Sequence, residues 1–366
     1  MKIVVVVGAR PNFMKVAPLV EVLAAIRASR SDLSYALVHT GQHYNAQMSQ
    51  AFFEDLNLPV PDFNLGVGSG THAEQTGKVM IAFEQLLLQH RPDWVVVVGD
   101  VNSTMACAIA AKKLGIRVAH VEAGLRSRDR TMPEEINRVL TDSISDALFT
   151  TERSAAENLI KEGISVEKIH FVGNVMIDAL LKHLERARAL AYWKRLGLES
   201  RCYATLTLHR PANVDDREVF FAIAEALAIA ARDLPIVFPL HPRTRKAAVE
   251  FGLLKRMQSI NGLHLLEPLG YLAMLSLNTS ARAILTDSGG IQEEAAVLKV
   301  PCITLRNSTE RLVTIEIGAN RLAGTDPLAI VRELRAVLQN GHGHFQTPEK
   351  WDGHAAHRIA EVLLSL

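Results

Sequence analysis

The chain has 366 residues, of which 48% are hydrophobic and 22% charged, a composition typical of a globular protein with a large core. Its 40 Lys and Arg balance 39 Asp and Glu, and the net charge of +1 argues against a general nucleic-acid or anionic-membrane surface. No apolar run resembles a signal peptide or approaches the roughly 20 residues that span a bilayer, so we expect a cytoplasmic protein whose separated cysteines, Cys107, Cys202 and Cys302, are buried, reduced thiols.

Short β-branched runs alternate with helix-period segments along the chain. The first half contains six predicted strands, at residues 2–7, 34–39, 94–98, 117–121, 147–150 and 169–172, and predicted helices that include 18–27, 73–88 and 103–114. The second half contains five predicted strands, at residues 203–208, 236–239, 264–266, 283–285 and 302–305. Continuous apolar strands separated by helices indicate parallel sheets covered on both faces.

A charged segment rich in Ala and Leu, at residues 180–201, separates the two sets of strands. We therefore predict an α/β fold with two Rossmann-like domains, at residues 1–175 and 176–350, whose parallel sheets face a central cleft. A C-terminal helix within 351–366 can return to the first domain. A single eight-stranded α/β barrel competes with this architecture but is less favoured, because six strand candidates precede the connector.

Between a predicted strand and a predicted helix lies the sequence Thr-Asp-Ser-Gly-Gly-Ile-Gln-Glu-Glu. Ser288, Gly289 and Gly290 would stand at the helix N-terminus, where free backbone N–H groups and the helix dipole suit an anion such as a diphosphate. Glu294, one turn into the helix, can accept hydrogen bonds from sugar hydroxyls. Alternatively, Asp287 and Ser288 only cap the helix while the glycines make a tight turn.

Two cations follow the first strand. Arg10 and Lys15 are placed around a strand-to-helix turn, where they suit a diphosphate, although a solvated basic turn explains them too. The segment is not the Gly-x-Gly-x-x-Gly fingerprint, which weakens any case for bound NAD.

Carboxylates follow the next strands. Asp100 is expected at the tip of the third strand, where simple decoration of the following helix N-terminus is the alternative, and Glu122 at the tip of the fourth. Glu134 and Glu135 begin a proline-started helix, and capping explains one of them. Three carboxylates held together would raise the pKa of at least one, as acid/base chemistry requires.

Basic residues follow the strands of the second half. His209 and Arg210 come just after the first of these strands, and we interpret them as candidates for stabilising a leaving group, although a lone histidine is usually structural. His241 and Arg243 repeat the arrangement on the next strand, and Arg311 follows the last one. The sequence contains no zinc spacing and no Ser-His-Asp arrangement, and the Gly-His-Gly-His at 341–344 is expected to be a loop.

Together these motifs resemble the non-hydrolysing UDP-N-acetylglucosamine 2-epimerases, in the family's order from residue 8 to residue 311. The most specific matches are His-Val-Glu-Ala-Gly-Leu-Arg at 120–126, Pro-Glu-Glu-Ile-Asn-Arg at 133–138 and the stretch 286–294. The resemblance implies a GT-B arrangement, a UDP-sugar substrate bound by the C-terminal domain, and a homodimer without NAD or metal. It also implies reversible conversion of UDP-GlcNAc to UDP-ManNAc, used in making cell-surface polysaccharides.

The family's chemistry assigns roles to matching residues. UDP leaves C1 while a carboxylate removes the C2 proton, and the 2-acetamidoglucal is reprotonated on its opposite face before UDP adds back. The positions that match the catalytic carboxylates are Asp100, Glu122 and Glu134, and His209 matches the catalytic histidine. The substrate-binding positions are matched by Arg10, Lys15, Ser288, Gly289, Gly290, Glu294 and Arg311.

The chain departs from the family pattern at three places. Asn-Phe-Met stands at 12–14 where many members have Glu-Ala-Ile, and Val-Asn-Ser at 101–103 replaces a threonine run. Gln42 fits a second, activating UDP-GlcNAc site, but Tyr44 and Asn45 replace its usual neighbours. These differences leave room for a modified sugar such as a diacetamido-uronate. A hydrolysing epimerase, a UDP-glycosyltransferase and a nucleotide-sugar sensor are the competing functions.

Overall fold

The computed structural model describes residues 1–41, 60–339 and 345–366, apart from the side chains of residues 10 and 11. It divides into two compact units, the first made of Met1–Ala179 with Glu349–Leu366 and the second of Leu180–Pro348. Each unit contains one parallel sheet, of seven strands in the first and six in the second. Two parallel-sheet α/β domains confirm the predicted fold class and exclude the single barrel.

The first unit alternates strands and helices along the chain. Its strands are β1 (Lys2–Val7), β2 (Ser34–His39), β3 (Phe63–Asn64), β4 (Trp94–Val98), β5 (Arg117–Ala123), β6 (Ala147–Thr150) and β7 (Ile169–Phe171). Its helices are α1 (Arg10–Ser29), α2 (His72–His90), α3 (Asn102–Lys113), α4 (Pro133–Ile144), α5 (Arg153–Lys161), the beginning of α6 (Val175–Leu190), and the C-terminal α15 (Ala355–Ser365).

The second unit repeats this alternation. Its strands are β8 (Ala204–Thr207), β9 (Ile236–Pro239), β10 (Leu263–Leu266), β11 (Ala283–Thr286), β12 (Cys302–Thr304) and β13 (Asn320–Leu322). Its helices, after the end of α6, are α7 (Pro211–Val214), α8 (Arg217–Asp233), α9 (Pro242–Glu250), α10 (Leu254–Gln258), α11 (Tyr271–Ser280), α12 (Gly289–Leu298), α13 (Leu312–Glu316) and α14 (Pro327–Gln339).

Both sheets reverse their strand order at one place. The first sheet has the order β3-β2-β1-β4-β5-β6-β7 and the second β10-β9-β8-β11-β12-β13. The reversals lie between β1 and β4 and between β8 and β11. Ligands of open α/β sheets bind beyond the carboxyl ends of the strands at such a switch point. The residues that follow these four strands are therefore the candidates for a site in each unit.

Some sequence predictions differ from the structure. The strands β3 and β13 were not predicted, because they are short edge strands without a continuous apolar run. Helix α1 begins at Arg10 rather than at residue 18, since Pro11 suits its first turn and the helix continues through Pro18. Cys202 is exposed rather than buried, because it lies in the turn before β8.

The C-terminal segment is fastened to the first unit by specific polar contacts. The buried Trp351 indole donates from Nε1 to the Thr151 carbonyl at 2.9 Å. The Asp178 carboxylate accepts from the amides of Ala355 and Ala356 at 3.2 and 2.7 Å, which caps α15. Within the described ranges, no helix is long and apolar enough to cross a membrane.

Replacing Trp351 by alanine should destabilise the first unit by about 3–5 kcal/mol, because the change empties a large buried site and removes the bond to Thr151. Urea denaturation followed by circular dichroism measures the loss. Leu328→Ala is the control, since that side chain is 75% exposed and should change stability by less than about 0.5 kcal/mol. Equal effects of the two variants would contradict the assigned role of Trp351.

Candidate active site

Glu122 lies at the carboxyl edge of the first sheet and is paired with Lys15. The Lys15 Nζ is 2.6 Å from the Glu122 Oε2, and both side chains are buried. The sequence placed Lys15 in a turn before the helix, whereas the structure places it in the second turn of α1. Gly99 packs against this ammonium so closely that a Cβ there would lie 3.1 Å from Nζ. Lys15 is thus the counter-ion of Glu122.

The backbone at Glu122 is strained. Its φ of 73° falls in the left-handed region, and the pairing of β5 with β6 shifts register between Val121 and Ala123. A non-glycine residue in that region persists only when its surroundings hold it there, and such residues concentrate at functional sites. Gly124, also at positive φ, packs against the Ala155 carbonyl where a Cβ would not fit. This bulge directs the Glu122 carboxylate away from the regular strand pattern.

Asp100, which follows β4, is held by helix α4. Its carboxylate forms a short ion pair with the Arg138 guanidinium, and its carbonyl accepts from the Asn137 amide at 2.9 Å. Arg138 also contacts Glu135, with Nη1 2.6 Å from Oε2. Asp100 is therefore more than a favourable negative charge at the N-terminus of α3, since the first turns of α4 fix both its side chain and its backbone.

The two glutamates at the start of α4 have different surroundings. Glu135 is buried and accepts from the amides of Ser127 and Arg128, both at 2.9 Å. Burial favours its neutral form, but these amides and Arg138 outweigh it and hold the pKa of Glu135 below its ordinary value. Glu134 is half-buried and lies on the same helix face as Arg138, one turn away. Glu135 thus has the structural role, which leaves Glu134 as the reactive candidate.

His209 and Asp287 contact each other at the switch point of the second sheet. The His209 Nδ1 is 2.9 Å from the Asp287 Oδ1, and the other carboxylate oxygen accepts from the amides of His209 and Arg210 at 2.8 Å each. Burial alone would raise the pKa of Asp287, but His209 and these amides hold it below its ordinary value. Because Asp287 holds Nδ1, the partly exposed His209 presents its Nε2 for other partners.

The capping interpretation of Asp287 and Ser288 is wrong. The Asp287 carboxylate faces the His209 loop, and Ser288, at the N-cap of α12, makes no capping bond with its side chain among the described residues. Neither side chain therefore occupies the first-turn amides, which suit an anion. Gly289 has a packing role as well, since a Cβ there would lie 2.8 Å from the Glu310 Oε1.

Glu294 is buried among polar side chains of the second unit. Burial, with the adjacent Glu293, raises the pKa of Glu294 to about 8, although Tyr271 and Asn278 face it and favour its charged form. The carboxyl is therefore largely protonated at neutral pH. In that state it can both donate to and accept from a neighbouring hydroxyl.

Arg311 is engaged inside the second unit. Its Nε is 2.6 Å from the Glu293 Oε1, and both side chains are buried. The nearby Thr309 hydroxyl donates to the Gln292 amide oxygen at 2.7 Å. The loop before α13 is thus pinned to α12, the helix that begins with the two glycines.

Several predicted residues lie outside what the structure describes. These are the side chain of Arg10, the residues Gln42, Tyr44 and Asn45, and the segment 341–344. Among the described residues, no group of three or more His, Cys, Asp and Glu side chains is arranged to hold a metal ion.

The structure also adds residues that the sequence interpretation missed. Arg138 and Asp287 were visible inside the specific motifs, but their partners are distant in sequence. The carboxyl edge of the first sheet offers ion-paired carboxylates, and the switch point of the second sheet offers helix N-terminal amides beside an oriented histidine. Such groups suit proton transfer and departure of a phosphorylated leaving group.

Comparisons with known proteins agree with this chemistry. Residues 25–364 match the family described as UDP-N-acetylglucosamine 2-epimerase. The UDP-N-acetylglucosamine 2-epimerase of Methanocaldococcus jannaschii is 45% identical over 99% of both chains. Its crystal structure in complex with UDP-GlcNAc and UDP superposes with a TM-score of 0.92 over the full length of both chains. A UDP-2,3-diacetamido-2,3-dideoxy-D-glucuronate 2-epimerase of Pseudomonas aeruginosa is 42% identical over the full length of both chains.

The raised pKa of Glu294 predicts a pH-dependent stability. The folded protein holds a proton that the unfolded chain, with its ordinary pKa of 4.5, releases. The stability from this proton is fully present below about pH 4.5 and is lost as the pH rises through about 8. Because Glu294→Gln cannot ionise, the wild-type protein should lose stability relative to this variant across that range, by on the order of a few kcal/mol.

Urea denaturation of both proteins at about pH 5, 7 and 9 measures this difference. Glu250→Gln, at an exposed position of the same unit, is the control and should show no such trend. A difference between Glu294→Gln and wild type that stays constant with pH would count against a protonated Glu294.

Proposed function

The chain belongs to the UDP-N-acetylglucosamine 2-epimerase family, and on that premise we propose that it interconverts UDP-N-acetylglucosamine and UDP-N-acetylmannosamine without releasing free sugar. The observation that carries the proposal is the full-length likeness to an epimerase whose structure holds UDP-GlcNAc and UDP. The two switch points support it, since one suits a diphosphate and the other suits proton transfer at carbon.

The reaction begins with departure of UDP. The C2 proton is not acidic by itself, because no carbonyl stands beside it, and breaking the C1–O bond makes C1 electron-poor. We assign Ser288, Gly289 and Gly290 to the diphosphate, where the amides at the start of α12 stabilise its negative charge. His209, oriented by Asp287, supports the leaving oxygen through its Nε2. Glu294 is assigned to the ribose hydroxyls.

The carboxylates of the first unit are assigned to the proton. One of Asp100, Glu122 and Glu134 removes the C2 proton to give the 2-acetamidoglucal, and another returns a proton to the opposite face. The cations beside two of them support this, because Lys15 and Arg138 favour the ionised form that a base requires. UDP then adds back to C1.

A modified sugar is the second candidate substrate. The Pseudomonas aeruginosa relative, named for a diacetamido-glucuronate nucleotide, is almost as similar to this chain as the Methanocaldococcus protein. Epimerisation at C2 by elimination and re-addition applies equally to that sugar, since its C2 also carries an acetamido group. The second candidate therefore changes the substrate and leaves the assigned chemistry unchanged.

Incubation with each UDP-sugar alone, followed by NMR of the products, distinguishes the candidates. We expect an equilibrium mixture of UDP-GlcNAc and UDP-ManNAc. A hydrolysing epimerase would instead release UDP and free ManNAc, and a glycosyltransferase without acceptor would give little of either product. Turnover of the diacetamido-uronate nucleotide alone would replace the first substrate by the second.

Turnover in deuterated water should place deuterium at C2 of the product, because the proton removed is replaced from solvent. An oxidation and reduction at C4 would leave C2 unlabelled. Asp100→Asn, Glu122→Gln and Glu134→Gln should each cut the rate on the order of 10²–10⁴-fold while UDP affinity is largely kept. Glu157→Gln, an exposed carboxylate on α5, is the control. Absence of label, or full activity in all three variants, would exclude the assigned site.

A further inference from the structure

Helix α4 carries three charged side chains spaced four residues apart. Glu134, Arg138 and Asp142 lie on one helix face, because side chains at this spacing are neighbours on a helix. Glu134 is the half-buried candidate, and Arg138 holds Asp100. Asp142 is fully buried and is not used by the proposed mechanism. The contacts of Asp142 show its role in the structure.

The Asp142 carboxylate binds strand β5 on both sides of the strained Glu122. Its Oδ1 is 2.6 Å from the His120 Nδ1, two residues before Glu122. Its Oδ2 accepts from the Gly124 amide at 3.1 Å, two residues after Glu122, and lies 2.7 Å from the Arg126 Nη1. One carboxylate therefore bridges the register shift at which Glu122 has its left-handed backbone.

His120 connects Asp142 to the end of the neighbouring strand β4. Its Nε2 is 2.8 Å from the Gly99 carbonyl, which belongs to the peptide bond immediately before Asp100. Gly99 itself has a φ of 72° and donates its amide to the Val121 carbonyl at 3.0 Å. The backbones that carry Asp100 and Glu122 are thus joined through His120.

The group around Asp142 contains a second cation, Arg126. His120 and Arg126 outweigh the burial of Asp142 and lower the pKa of its carboxyl. The Gly99 carbonyl can only accept, so the Nε2 of His120 donates to it. Arg126 also contacts Glu162, with Nη2 2.6 Å from Oε2.

We propose that Asp142 and His120 are positioning residues for the reaction, which hold the backbones of Glu122 and Asp100 at the geometry that proton transfer at C2 needs. The proposal rests on the proposed function. Both side chains are fully buried, so they act through the carboxylates of Glu122 and Asp100. A displacement of about 1 Å in a reacting group can cost about 100-fold in rate, so loosening this pair should lower kcat far more than it changes binding.

Strand β5 offers a matched control at its opposite end. Asp146 accepts from the Val118 amide at 2.8 Å and from Lys112 at 2.8 Å, so it also ties a cation and a β5 amide together. It lies at the amino end of the strand, away from the carboxyl edge. Asp142→Asn and Asp146→Asn therefore each remove one negative charge from a carboxylate that binds β5, near its carboxyl end and near its amino end respectively.

We test both variants by steady-state kinetics, UDP calorimetry and thermal denaturation. His120→Gln is tested in the same way, and it replaces Asp142→Asn if that variant does not fold. We expect Asp142→Asn and His120→Gln to lower kcat by about 10–100-fold, with KM and UDP affinity changed by less than about threefold. Asp146→Asn should lose thermal stability and keep its kcat. The proposal would be overturned if Asp142→Asn or His120→Gln folds and keeps full kcat. It would also be overturned if Asp146→Asn loses kcat to the same extent.

NMR of the histidine ring separates this proposal from the proposed function. Because the Nε2 of His120 donates to the Gly99 carbonyl, wild-type protein should show a slowly exchanging Nε2–H signal, and Asp142→Asn should lose it. A wild-type ring without that signal would overturn the positioning role whatever the enzyme's activity. Wild-type protein that shows the signal but no C2 exchange would overturn the proposed function, while the link between the two backbones would stand.

Discussion

The first unit holds carboxylates at the carboxyl edge of its sheet, and each of those carboxylates is paired with a cationic side chain. Lys15 pairs with Glu122, Arg138 pairs with Asp100, and Arg126 pairs with Asp142. An unpaired buried charge would cost several kcal/mol, so the pairs have to form together with the fold. Because Lys15 and Arg138 come from the helices before and after the carboxylate strands, helix packing in this unit also determines the electrostatics of the site.

The second unit differs from the first, because the diphosphate site that we propose there needs free hydrogen-bond donors rather than paired charges. Asp287 is the residue on which this arrangement depends. It follows β11 at the start of a helix, where an aspartate commonly caps, but its carboxylate binds the loop after β8 instead. That contact joins the two strands at the switch point and orients His209, and among the described residues no side chain caps the amides at the start of α12. The position of one carboxylate therefore decides the orientation of the histidine and leaves these amides available for the anion that we propose.

The sequence predicts those parts of the fold that leave a local pattern. Long apolar strands such as β4 and β5, and the strand–glycine–helix context of Ser288, were predicted because periodicity and turn chemistry are local properties. Edge strands such as β13 leave no such pattern. Partners are not predictable either, since Lys15 and Glu122 are far apart in the chain and meet only through the packing of α1 on the sheet. The choice between Glu134 and Glu135 likewise depends on the loop at 127–128.

The structure also bears on the departures from the family pattern that left room for a modified sugar. Asn12 is buried and donates to the Val98 carbonyl at 2.5 Å, and Phe13 packs its ring 5.3 Å from that of His39. Asn102 is bonded to the Gln75 amide oxygen at 2.9 Å. Each of these three side chains would have to give up or rearrange an internal contact to bind a sugar substituent, which has a cost. The substitutions at Asn12, Phe13 and Asn102 are therefore explained by packing within the first unit.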